Sequence, residues 1–190
     1  DVNNILSLCR PFQPELILAA GGGSVLDTAK SVCHGYFYDG DPLDFNKHLV
    51  TPLHALPLAT IITLSASGSE RSDSCVISDR MHHFKGGFNS VTNYPLFSLE
   101  DPSLTFSVPP YQLGCGLADR FSHSFERYCS PSHELEPCDG LALSIRKSIV
   151  SITKRVLAKA DDREAKRARR ICGSLSHDGF TNFGKKKLFI

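Results

Sequence analysis

Two groups of residues in this sequence have the types and spacing that chemistry requires. The first is Gly21-Gly22-Gly23-Ser24, followed by Asp27 and Lys30. Glycines let backbone N–H groups approach an anion closely, and a helix starting just beyond them adds a favourable dipole. The arrangement therefore suits a phosphate. The spacing of Ser24, Asp27 and Lys30 puts three polar groups on one face of the first helical turns. The run is no Walker loop, because no Gly-Lys-Ser/Thr closes it, and Leu26 stands where a Rossmann fingerprint wants its last glycine. An ordinary glycine-rich turn between a strand and a helix is the alternative. The second group is Asp119 and His123. A carboxylate and an imidazole at i and i+4 share one helix face and can grip one ion, and their oxygen and nitrogen donors suit Zn²⁺ or Fe²⁺. A surface pair or a satisfied core histidine explains the same spacing, and a metal needs further ligands from elsewhere.

These residues need elements to hold them. Residues 16–20 are an apolar run of strand length, and Val25, Leu26, Ala29, Val32 and Cys33 then recur with helical spacing to about Phe37. A strand, a glycine turn and a helix follow in order. Residues 55–64 predict a second buried strand, without alternation, as parallel strands read. It runs into the small polar loop 65–70. Residues 74–78 and 96–99 predict short strands, and 79–95 read as irregular. Residues 1–15 hold a short amphipathic piece ended by Pro11 and Pro14. After Ser107-Val108-Pro109-Pro110 helical periodicity dominates, over roughly 111–128, 138–159 and 163–175. The change of character predicts an α/β part over 1–103 and an all-helical part over 104–190.

The 190 residues carry a net charge of +1, with 41% hydrophobic and 22% charged residues, so a core is affordable and no strong attraction to nucleic acid is expected. The late basic cluster at 161–170 reads as a solvated helix face. No apolar stretch is long enough for a membrane span and no signal peptide opens the sequence. The seven cysteines are scattered, odd in number and without C-x-x-C, which speaks against a disulfide framework and a thiolate zinc site. A cytoplasmic protein with free thiols is expected.

Taken in order, Gly-Gly-Gly-Ser-x-x-Asp-x-Ala-Lys, the strand into Ala66-Ser67-Gly68-Ser69-Glu70, Asp101-Pro102-x-Leu104-Thr105, Pro109-Pro110 and Gly116-x-x-Asp119-x-x-x-His123-x-x-Glu126 resemble the iron-containing (group III) alcohol dehydrogenase family, nearest its butanol dehydrogenase and aldehyde reductase branch. The resemblance runs from about Leu16 to Gly184. It implies an α/β dinucleotide-binding, Rossmann-like part followed by an all-helical metal-binding part, the dehydroquinate synthase-like architecture, here incomplete. It implies an NAD(P)-linked oxidoreductase acting on a small alcohol or aldehyde at a divalent metal, Fe or Zn, and a homodimer. By the same resemblance, Gly22, Gly23 and Ser24 match the pyrophosphate loop, with Asp27 and Lys30 as its polar partners. Thr63, Ser67 and Lys85 match residues near the cofactor, and Asp119 and His123 match two metal ligands.

The sequence also departs from that pattern. The family's metal is held by one aspartate and three histidines, and the other two histidines of relatives lie downstream of the matched segment. His177 matches a position that is not a ligand. Relatives also begin before residue 1 with a strand–helix–strand unit. Ser67 replaces a threonine, Ser65 a common proline, and Arg120 a small apolar residue. Arg169 and Arg170 fall where relatives bury apolar groups, so the last helix is expected to pack poorly. A non-catalytic remnant that keeps nucleotide binding or an oligomer contact is the alternative function. The sugar-phosphate relatives of the same fold are a third reading, disfavoured by the Pro-Pro and Gly-x-x-Asp-x-x-x-His-x-x-Glu pattern.

Overall fold

The computed structural model describes residues 2–64, 67–129, 136–158 and 162–177. Ser65, Ala66, the expected tail 178–190, and the side chains of Arg170 and His177 lie outside the described residues. The chain divides into two compact units, one of Asp1–Ile62 with Ser69–Leu99 and one of Thr63–Gly68 with Glu100–Ile190.

The first unit is built around one helix. Strand β1 (Ile17–Gly21) ends in the glycine turn, and helix α2 (Gly23–Gly35) follows it. An earlier helix, α1 (Val2–Phe12), carries Pro11 within its last turn, so the proline does not end the helix as expected. A proline that late removes a single backbone bond, and the helix stops one residue beyond it. A short helix, α3 (Leu43–Asn46), precedes β2 (Leu58–Ile62). Strand β2 is shorter than the predicted 55–64 because Pro57 has no N–H to give a ladder; its carbonyl instead accepts from Ile17 N at 2.9 Å. Strand β5 (Phe97–Leu99) completes a parallel sheet of order β1-β2-β5, with Ile17 opposite Leu58 and Ala59 opposite Phe97.

One face of that sheet is covered by α2, where Leu26, Ala29 and Cys33 pack with Ala19, Leu56, Leu58 and Ile62. The other face carries Leu18, Phe97 and Leu99, each half-exposed. The region 79–95, read as irregular, contains a strand. Strands β3 (Ser74–Asp79) and β4 (Phe84–Asn89) form an antiparallel hairpin, with Cys75 opposite Phe88. Gly86-Gly87 hides β4 from any periodicity argument. The hairpin is held from outside: the buried Asn46 amide donates to Cys75 O at 2.9 Å and Gly86 O at 3.1 Å, and Phe45, Cys75 and Phe88 form a small core.

In the second unit, Asp101 caps a 3₁₀ turn over Pro102–Thr105 by accepting from Ser103 N at 2.8 Å. Helices α4 (Pro110–Cys129), α5 (Glu136–Ala158) and α6 (Arg163–His177) follow. Pro110 takes the first helical position, where its missing N–H costs nothing. Leu113 and Leu117, Ile145, Ile149, Ile152 and Val156, and Ala165 and Cys172 make one core across the three helices. Asp162 starts α6 by accepting from Ala165 N at 2.9 Å while Arg155 donates to both its oxygens. Arg120 and Arg169 are wholly buried, as the sequence implied, and Arg120 donates to Arg169 O at 2.9 Å. Ala165 and Cys172 nevertheless place α6 in the core.

His34, at the end of α2, ties two later segments to the helix. Its Nδ1 lies 3.1 Å from His54 O and its Nε2 3.1 Å from Asn93 Oδ1, and the side chain is buried. Burial pushes the imidazole below its ordinary value of 6.5. The unfolded chain therefore takes up this proton first as pH falls. The stability from neutral His34 is complete above 6.5 and declines as pH drops below it toward the folded value. Urea unfolding at about pH 7.5 and about pH 5.5 is expected to show a smaller loss of stability for His34→Gln than for the wild-type chain. Equal losses in the two chains would show that His34 does not carry this dependence.

Candidate functional site

The glycine turn sits at the carboxyl end of β1, where parallel α/β sheets bind their ligands. Gly22 is the N-cap of α2, with φ −94° and ψ −173°, and as a glycine it offers no side-chain cap of its own. Its carbonyl accepts from Val25 N at 3.0 Å and Leu26 N at 3.1 Å, so the first turn is regular. Ser24 is exposed. A glycine-capped helix start at the positive end of the dipole is the kind of backbone terminus that suits a phosphate. Gly21 is needed for a different reason. A Cβ there would lie 2.6 Å from Val25 Cβ, an atom fixed to the helix backbone.

The side chains of Asp27 and Lys30 reach residues 69–76, which run from the 3₁₀ turn Ser69–Arg71 into the start of β3. The Lys30 side chain is buried, and its Nζ donates to the carbonyls of Ser69, Ser72 and Ser74 at 2.8, 3.0 and 2.8 Å. An ammonium has three N–H groups, so all are engaged. Asp27 accepts from Ser69 Oγ at 2.7 Å and from Val76 N at 3.4 Å, and lies 4.0 Å from Lys30 Nζ. Burial raises the Asp27 carboxyl above its ordinary value and lowers the Lys30 ammonium below its own. Each shift is toward the neutral form, so desolvation outweighs an attraction spread over 4.0 Å. Cys75, whose thiol donates to Asp27 O at 3.3 Å, is pushed far up by the same burial, and Cys33 is pushed up to about 12; neither is a poised nucleophile.

Sequence reasoning grouped Ser24 with Asp27 and Lys30; the structure instead joins Asp27 and Lys30 to Ser69, Ser72 and Ser74. Lys30 lies in a run, Ala29 to Cys33, that is buried throughout, and a lysine there must find acceptors. Thr63 and Ser67 belong to the segment Thr63–Gly68, which ends in Gly68 at φ 65°, a conformation that favours glycine. Lys85 is an exposed residue of β4, opposite Ser78.

On α4, Asp119 Oδ1 and His123 Nε2 are 3.6 Å apart, with the carboxylate about half exposed and the imidazole mostly covered. The pair fits two positions of an ion's coordination shell. Among the described residues no group of three or more histidine, cysteine, aspartate or glutamate side chains is placed to hold a metal. Among those residues also, no helix is long and apolar enough to cross a membrane.

The close approach at Gly21 makes a direct prediction. Gly21→Ala is expected to lower stability by about 1–3 kcal/mol, because Val25 Cβ cannot swing aside. A urea midpoint equal to wild type would show that the turn has room for a methyl group.

Comparisons with known proteins place these features in a family. The profile described as iron-containing alcohol dehydrogenase matches residues 1–102. NADH-dependent butanol dehydrogenase A of Clostridium acetobutylicum is 37% identical over 182 residues, 96% of this chain and 47% of that one. NADPH-dependent aldehyde reductase YqhD of Escherichia coli is 28% identical over 170 residues, 84% of this chain and 42% of that one. The crystal structure of NADH-dependent butanol dehydrogenase A from Thermotoga maritima superposes with a TM-score of 0.94 at 31% identity, covering 98% of this chain and 46% of that chain. The chain spans about half the length of the curated relatives it matches. With a profile match over more than half its residues, and with the glycine turn at the end of β1 inside that match, the chain belongs to the iron-containing alcohol dehydrogenase family.

Proposed function

We propose that the chain carries the nucleotide-binding and part of the metal-binding machinery of an NAD(P)-linked alcohol dehydrogenase or aldehyde reductase. The observation that carries this reading is the helix start at Gly22-Gly23-Ser24, N-capped by a glycine, at the carboxyl end of a parallel strand. Backbone N–H groups of that first turn bind the pyrophosphate of NAD(H) or NADP(H). Thr63, Ser67 and Lys85 are assigned to the same cofactor through the family resemblance. Asp119 and His123 supply one oxygen and one nitrogen donor to a divalent ion, Fe²⁺ or Zn²⁺. When bound, such an ion polarises a carbonyl oxygen, or acidifies an alcohol, while hydride moves to or from the nicotinamide. The substrate class is a small alcohol or aldehyde.

A second reading is nucleotide binding without turnover, in which Asp119 and His123 do not hold a metal. Ligand number governs affinity, so Asp119 and His123 alone hold an ion weakly.

One set of measurements on the 190-residue chain decides between the readings: calorimetry with NADH and NADPH, titration with Zn²⁺ and Fe²⁺, and NADH oxidation with butanal. Nucleotide binding, metal affinity in the micromolar range or tighter, and aldehyde reduction support the first reading. In that case Asp119→Asn and His123→Ala are expected to abolish metal binding and leave nucleotide affinity within about twofold, because no proposed cofactor contact is touched. Nucleotide binding with weaker metal and no turnover supports the second. Failure to bind either nucleotide overturns both.

A further inference from the structure

Arg120 stands one position beyond Asp119 and three before His123 on α4, and it is wholly buried. We propose that the Arg120 guanidinium sets the charge of the Asp119–His123 pair and lowers its affinity for a divalent cation, which makes Arg120 a specificity-determining residue of that position. This inference rests on the metal reading above and deepens it.

The guanidinium has a defined seat. Arg120 Nη1 donates to Arg169 O of α6 at 2.9 Å. Gly173, one turn further along α6, leaves the space for it: a Cβ there would stand 2.7 Å from Arg120 Cζ and Nε and 2.8 Å from Nη2. Glycine inside a helix costs stability relative to alanine, and here it lets a planar cation lie against the helix backbone. The carbonyl supplies a dipole and no net charge, and a guanidinium stays protonated at any pH a folded protein meets. A fixed positive charge is therefore built into the packing of α4 on α6. Leu113, Leu117, Arg120 and Ser124 are buried at helical spacing, so this stripe of α4 is apolar in its first half and polar beside the metal pair. Ser124 makes the uncharged counterpart, with Oγ donating to Ala142 O of α5 at 3.0 Å.

The sign of the effect follows from the charges. An ionised Asp119 and a neutral His123, 3.6 Å apart, carry one negative charge between them, and Arg120 brings the three residues to zero. Helix rise separates positions 119 and 123 by about 6 Å along the axis, so the three side chains leave α4 close together. The imidazole is 14% exposed and the guanidinium is enclosed, so bulk water screens the repulsion poorly. A divalent ion about 10 Å from a unit positive charge, at an effective dielectric of about 40, loses about tenfold in binding constant.

The test titrates Co²⁺ into the wild-type 190-residue chain, Arg120→Met, Arg120→Gln and Ser124→Ala. A chain with both Asp119→Asn and His123→Ala is the blank for binding elsewhere. Calorimetry gives the affinity, and the visible absorption of Co²⁺ reports entry into a nitrogen and oxygen site. Arg120→Met and Arg120→Gln are expected to bind Co²⁺ about tenfold more tightly than wild type and by the same factor, although only glutamine can still donate to Arg169 O. Ser124→Ala breaks a hydrogen bond of the same helix without changing any charge, and its affinity is expected to stay within about twofold of wild type. Thermal melts by circular dichroism identify the folded chains, and Arg120→Gln serves if Arg120→Met does not fold. Unchanged or weaker binding in the Arg120 variants overturns the proposal. An equal gain in Ser124→Ala overturns it too, because freedom of the helix rather than charge would then explain the effect. Wild-type binding that the Arg120 variants leave unchanged sinks this inference alone, whereas no binding above the blank in any chain sinks the metal reading with it.

Discussion

A lysine ammonium enclosed by three backbone carbonyls is the constraint on which the first unit depends. Helix α2 packs on the parallel sheet through Leu26, Ala29 and Cys33, and faces the β3–β4 hairpin through Asp27 and Lys30. The apolar side is interchangeable in kind, since any close-packed set of similar volume would serve. The polar side is not. Three carbonyls from residues 69, 72 and 74 can converge on one donor only if the 3₁₀ turn at Ser69–Arg71 and the start of β3 are both in place. The lysine thus reports on, and enforces, the relation between a helix and a segment some forty positions away. Its burial costs desolvation, visible as the downward shift of the ammonium, and the carbonyl dipoles offset that cost.

His34 repeats the same logic at the other end of the helix. It reaches His54 O and Asn93 Oδ1, and Asn93 in turn donates to Asp73 O at 2.8 Å. Helix α2 is therefore fastened in its middle by Asp27 and Lys30 and at its C-terminal end by His34, and it starts at a glycine N-cap. The division is physically sensible. Side-chain hydrogen bonds on the last two turns fix the axis, so the first turn presents its N–H groups in a constant direction without a capping side chain of its own.

Much of this was legible in the sequence, and the limits have clear causes. The strand, glycine turn and helix at 17–35 were readable because apolar spacing switches from a continuous run to a helical period at the glycines. The three helices of the second unit were readable for the same reason, with Pro109-Pro110 marking the start of the first of them. Strand β4 was not, because Phe84-Lys85-Gly86-Gly87-Phe88-Asn89 has no clean alternation; its strand character comes from β3 and from Asn46, more than thirty positions upstream. Asp27 and Lys30 were singled out as polar residues of one motif, yet their partners are mostly backbone groups. A backbone carbonyl has no sequence signature, so nothing in residues 69–76 announces that a lysine will be received there. Asp119 and His123 were readable as a pair because helical spacing alone brings them together.

The two proposed binding functions differ in how far they reach along a chain. A pyrophosphate site made of one strand end and one helix start is local: residues 21–24 contain its whole backbone geometry, and the anchors at positions 27, 30 and 69 lie within the same unit. A metal site is assembled from distant segments. One helical turn contributes two donors at most on one face, and four-coordinate sites need the rest from elsewhere. A site of the first kind therefore depends on fewer segments than a site of the second. In this chain helix α2, which begins at the glycine turn, is tied to Ser69 through Lys30 and Asp27, whereas Asp119 and His123 share one helix face and, among the described residues, no group of three or more histidine, cysteine, aspartate or glutamate side chains is placed to hold a metal. The two proposed binding functions thus rest on different residues and can be tested separately.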